Sequence, residues 1–112
     1  MSLTQRILEK VFLKEKIYIK NYDYNSLLNL LNDKSIYEEF KFSDSESREI
    51  YIFNKAYALY KVESYDEAIA ILKAEWEVMK KNEDYIINKE EVEKKFIGSI
   101  KKILNKKFNN YI

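Results

Sequence analysis

Across 112 residues the chain has no proline and a single glycine, Gly98. Tight hairpins, bulges and phosphate-cradling loops draw on the positive φ of glycine and the fixed φ of proline. A sheet-rich or loop-rich fold therefore lacks the residues it needs, whereas helices require neither inside their length. Apolar residues make up 46% of the chain and charged residues 35%. That balance lies far from the weakly apolar, highly charged compositions that stay disordered, and the length suits one domain with one core.

Hydrophobic periodicity divides the chain into helices. Leu3, Ile7, Leu8, Val11, Phe12, Tyr18 and Ile19 recur at helical spacing from Ser2 to about Lys20, opposite Arg6, Lys10 and Lys14, with Ser2 and Gln5 as a capping box. Asn21-Tyr22-Asp23 supplies a turn before a short helix from Tyr24 to about Leu31, completing a first hairpin over about 3–32. Residues 33–43 read as a connector with a helical turn that tucks Ile36, Tyr37, Phe40 or Phe42 over an end of the core. The oxygens of Ser43-Asp44-Ser45-Glu46-Ser47 suit the start of a helix running to about Val62.

That helix carries apolar residues on two faces, so it is expected either between neighbours or with one face open for binding. Ser64-Tyr65-Asp66-Glu67 reads as a second capping box, and Ala68, Ile69, Leu72, Trp76 and Met79 continue the next helix, giving a second hairpin over about 44–80. Asn88 and Glu91 announce a final helix over about 88–108, with Val92, Phe96, Ile100, Ile103 and Leu104 on one face. Gly98 is too isolated for a nucleotide loop and is read as a close helix contact.

The chain contains neither histidine nor cysteine, which removes the commonest general base, the commonest transition-metal ligands and any thiol nucleophile. Neither Asp44-Ser45-Glu46 nor Glu90-Glu91 sits in a glycine-bearing calcium loop. The expectation is a protein that is not an enzyme, with no metal and no cofactor. A net charge of +1 creates no overall field for a polyanion. Arg6, Glu9, Lys10 and Lys14 interrupt the first apolar residues, so no signal peptide or membrane span is expected, and the absence of cysteine fits the cytoplasm.

Residues 49–82 resemble one tetratricopeptide repeat, a 34-residue helix-turn-helix unit. The likeness is carried by Ala56-Tyr57-Ala58-Leu59-Tyr60-Lys61 and Tyr65-Asp66-Glu67-Ala68-Ile69, with Ile52 and Leu72 at large apolar positions and Ala56 and Ala68 at small ones. Lys55, Leu59, Glu75 and Lys80 depart from the pattern, which has leucine, tyrosine, alanine and proline there. A weaker echo covers about 8–41: Tyr24 to Leu31 aligns with Tyr65 to Leu72 at a shift of 41 residues, placing Val11 and Phe12 on Ile52 and Phe53. The resemblance implies an all-α fold, a short stack of antiparallel helical hairpins wound as a right-handed superhelix and closed by the C-terminal helix as a cap. A compact up-and-down bundle is the alternative architecture.

In the family, the first helices of successive repeats line a concave groove that binds peptides or partner helices. By position, Ile50, Phe53, Tyr57, Tyr60 and Lys61 would face it, an aromatic stripe ending in a cation, and the implied function is a protein-binding or scaffold module. The competing expectation is that the stripe packs on Ile7, Val11 and Phe12 or on the connector. A second functional reading uses Lys94, Lys95, Lys101, Lys102, Lys106 and Lys107 of the last helix as contacts for nucleic acid or an anionic membrane surface. A third is a homodimer through Trp76, Tyr85, Ile86 and Ile87, residues that otherwise seat the last helix.

Overall fold

The computed structural model describes residues 3–41, 45–81 and 89–109. They form six helices: α1 (Leu3–Lys20), α2 (Tyr24–Leu31), α3 (Lys34–Lys41), α4 (Ser45–Lys61), α5 (Tyr65–Lys80) and α6 (Lys89–Asn109). No strand occurs among the described residues. The fold is all-α, as the lack of proline and the single glycine lead one to expect, and successive helices pair as antiparallel hairpins. The molecule measures 50 × 35 × 21 Å. Its thinnest dimension is about two helix diameters, which fits a two-layer stack.

The expected connector is itself a two-turn helix, α3. Asp33 starts it, its carboxylate accepting from the Ser35 N–H at 2.9 Å and the Ser35 hydroxyl at 2.5 Å, while its carbonyl accepts from Tyr37 N–H at 3.0 Å. These bonds with Ser35 hold the Asp33 carboxyl below its ordinary pKa. Phe40 is the residue that α3 buries, stacked on Tyr51 with ring centroids 4.7 Å apart and tilted against Phe12 at 5.6 Å. Phe42 lies outside the described residues, as do Ser2, Ser43, Asp44 and Asn88 of the expected caps.

The 41-residue echo reappears as backbone geometry. Tyr22 and Glu63 both adopt positive φ, at 57° and 66°, in turns of identical bonding. Tyr22 N–H donates to the Ile19 carbonyl and Asp23 N–H to that of Tyr18. Glu63 N–H donates to Tyr60 and Ser64 N–H to Leu59 in the same way. This is the left-handed helix termination that ties off the last carbonyls before the chain reverses. The chain is thus a helical repeat in which two hairpins turn by one device. At the second turn the expected capping box is not formed: Ser64 stands at the N-cap of α5 but its side chain makes no capping bond. Asp66 and Glu67 in the first turn supply the negative charge that a helix start favours. At the first turn Asp23 does cap α2, accepting from the Ser26 N–H at 3.2 Å.

Two buried clusters form the core. Leu8, Val11, Leu27, Leu31, Phe40, Tyr51 and Ala58 compose one, and Ala56, Leu59, Ala68, Leu72, Met79, Val92, Phe96 and Ile103 are the heart of the other. Leu28 and Ile52 pack against both. Helix α4 packs Tyr51 and Ala58 into the cluster with α2 and α3 and Ala56 and Leu59 into the cluster with α5, and leaves Ile50 and Tyr57 of its aromatic face exposed. Tyr51, only 2% exposed, anchors it by donating its hydroxyl to the Leu31 carbonyl at 2.6 Å, and burial pushes the phenol up to about 12.

Gly98 makes no close helix contact. It is exposed in α6, and a β-carbon there would meet nothing within 4 Å. Glycine in an open helix interior costs backbone entropy with no packing gain. Gly98→Ala is therefore expected to stabilise the fold by about 0.5–1 kcal/mol, read as a melting-temperature rise of about 4 °C.

Candidate functional site

Helix α4 alternates between residues that the core takes and residues that it leaves. Phe53 is half-buried against Phe96 of α6, with centroids 4.8 Å apart, and Tyr60 tilts against Tyr65 of α5 at 5.9 Å. Between them Tyr57 is 37% exposed, its ring edge-on to Tyr24 of α2 at 5.7 Å, and Ile50 is 39% exposed. The hydrogen bond with Tyr57 holds the Tyr24 phenol above its ordinary pKa. Few of these side chains meet α1: the α4 residues that cluster with Val11 and Phe12 are Tyr51, Ile52 and Ala58.

The stripe lines a groove between α4 and α6. One cleft of about 290 Å³ is bounded by Phe53, Asn54, Tyr57 and Tyr60 of α4 and Ser99, Lys102 and Ile103 of α6. A second, of about 380 Å³, lies between Glu49, Ile50, Phe53 and Asn54 and Lys95 and Ser99. Phe53, Asn54 and Ser99 border both, so the two are one continuous groove. Its charge is uneven. Lys61 Nζ lies 5.5 Å from the Tyr57 ring centre and 5.9 Å from that of Tyr60, and Lys102 Nζ reaches the same Tyr60 ring at 5.8 Å. At the other end Lys95 is paired with Glu49 at 3.0 Å.

The lysines of α6 are consequently divided. Lys102 caps the aromatic stripe, Lys95 is paired with Glu49, and Lys107 is paired with Asp66 of α5. Lys94, Lys101 and Lys106 are exposed and make no ion pair among the described residues. Trp76 is half-buried on Phe96, with centroids 5.6 Å apart and Lys80 over its ring, so it helps seat α6. Tyr85, Ile86 and Ile87 lie outside the described residues.

Sequence reasoning missed two buried carboxylates. Glu15 of α1 is 2% exposed. Its Oε2 accepts from the Asn54 amide at 2.9 Å, while Oε1 has no hydrogen-bond partner. Burial pushes its carboxyl up to about 7, against the opposing pull of the Asn54 bond. Glu75 of α5, 4% exposed where the repeat pattern has alanine, is held by Arg48 of α4, whose Nε bonds Oε1 and whose second amino group bonds Oε2 at 3.1 Å. This pair borders a cleft of about 260 Å³ beside Tyr37, Phe40, Tyr51 and Val78. Each acid's helical position was visible, but the partner that makes its burial tolerable came from another helix.

Among the described residues no group of three or more acidic side chains is placed to hold a metal ion, and no helix is long and apolar enough to cross a membrane. No family model, no curated protein and no solved structure matches the chain. The groove offers aromatic surface, a half-buried amide and two cations, groups suited to recognition by packing and charge.

Proposed function

We propose that the protein is a non-enzymatic binding or scaffold module that takes a peptide or partner helix in the groove between α4 and α6. The observation that carries this reading is Tyr57. It is a large aromatic residue left more than a third exposed in the groove, between Phe53 and Tyr60, which are themselves fixed by packing. Rigid aromatic side chains held in this way lose little entropy when a partner covers them, which is why they dominate binding energy at interfaces. The two hairpins and their shared turn geometry support a place among tetratricopeptide-like repeats, and the same reading takes the protein to work in the cytoplasm. Polyanion binding along α6 is less favoured, because Lys95 and Lys107 are already paired with acids.

Replacing Tyr57 and Tyr60 together with alanine is expected to weaken partner binding by about 30-fold or more, the scale of losing an aromatic anchor. Helical content and cooperative unfolding should be kept, at a melting temperature lowered by the loss of the Tyr60 contact with Tyr65, since Tyr57 lies outside the core. The check is affinity capture from a cell extract at low and high salt with wild type and double variant side by side, and circular dichroism on both. Loss of cooperative unfolding in the variant would assign the stripe to the core instead.

A further inference from the structure

The sequence sets an aromatic stripe and a lysine-rich helix as rival sites, yet in the fold they meet on one ring. Lys61 from the end of α4 and Lys102 from α6 lie 5.9 and 5.8 Å from the centre of Tyr60. Both are exposed, and among the described residues neither has a carboxylate within ion-pair distance. Two cations at one ring, neither offset by a carboxylate among the described residues, make this end of the groove positive, and an anionic group would complement it. Away from Tyr60 the groove changes character: Phe53 and the exposed Ile50 are apolar, and Lys95, the cation among the described residues that line this end, is held by Glu49.

We propose that the groove binds an amphipathic segment of a partner protein that places an acidic side chain against Lys61 and Lys102 and apolar side chains along Tyr57, Phe53 and Ile50. This rests on the groove reading above and adds the partner's chemistry and direction. A peptide fits this pattern better than a nucleic acid. A phosphate backbone needs cations repeated along its path, whereas here positive charge is concentrated at one end and Glu49 stands at the other.

The test is selection of a random phage-displayed peptide library on the intact protein, then fluorescence polarisation with the enriched peptides synthesised. Enriched sequences should carry Asp or Glu on one side of aromatic or aliphatic residues. Lys61→Glu with Lys102→Glu should weaken them at least about tenfold, and peptides with those acids changed to lysine should regain affinity for that variant. Where charge reversal lowers the melting temperature, Lys61→Gln with Lys102→Gln takes its place, with a smaller loss in the same direction. Peptides without acids, or indifferent to both lysine pairs, overturn the acidic partner. If they still fail on Tyr57→Ala with Tyr60→Ala, the groove itself stands. Peptides indifferent to the tyrosines, or no enrichment over a blank surface, overturn both. Labelled oligothymidine that binds more tightly than any peptide, and is released by the lysine reversals, assigns the groove to nucleic acid and overturns the proposal.

Discussion

Glu15→Gln is expected to leave stability at pH 4 nearly unchanged and to raise it by about 2–3 kcal/mol at pH 8. In the folded chain the Glu15 carboxyl is pushed up to about 7 by burial, while in the unfolded chain it titrates near the ordinary glutamate value. Below that unfolded value both states hold the proton, and the group imposes no penalty. As pH rises toward 7 the unfolded chain loses its proton first, so the folded state becomes relatively less stable. Above 7 the full cost of a buried charge is present. Glutamine preserves an acceptor for Asn54 and never ionises, so its advantage should open between pH 5 and 8. Chemical denaturation of both proteins across that range measures it. Parallel stability profiles would mean that Glu15 is not held in the folded state as its burial and single hydrogen bond indicate.

The second large effect concerns Arg48. Arg48→Met keeps an aliphatic stem but leaves the Glu75 carboxylate, 4% exposed, without the guanidinium that meets both of its oxygens. Breaking a buried pair from one side costs several kcal/mol, and because Arg48 is itself partly exposed the expected loss is about 2–3 kcal/mol. Adding Glu75→Ala to the same protein removes the stranded charge, and the double variant should return to within about 1 kcal/mol of wild type. Urea unfolding of the two single variants and the double gives the coupling directly. Additive losses would show that the pair does not act as a unit.

These two acids mark the boundary of what the sequence makes legible. Helices α1, α2, α4, α5 and α6 were readable because each repeats apolar residues every three or four positions over two turns or more. Helix α3 is harder to read: among its described side chains it buries Phe40 alone, too few to set a period, and its start depends on Asp33 folding back onto Ser35, a local bond that periodicity does not register. Tyr51 was overlooked because its anchoring bond goes to a backbone carbonyl 20 residues away. The stripe on α4 was named residue by residue, but its opposite wall was not. The seating of α6, with Phe96 against Phe53 of α4 and Trp76 of α5, brings Ser99 and Lys102 beside Tyr57 and Tyr60. Asn54 had no signal at all, being one polar residue on an exposed-looking turn of helix until α1 and α6 close around it.

Leu28 and Ile52, the side chains that pack against both buried clusters, also govern how the molecule comes apart. The principal packing partners in this fold are helices adjacent in the chain or separated by one, an order of local contacts that favours fast folding and lets structure spread from a neighbour. Cooperativity between the halves must then pass through the seam that these two residues make with α2 and α4. Amide exchange should be slowest along that seam and quicken toward α1 and α6, so the partner-facing groove, with one wall on α4 and the other on α6, joins the most persistent part of the molecule to one of its earliest to open.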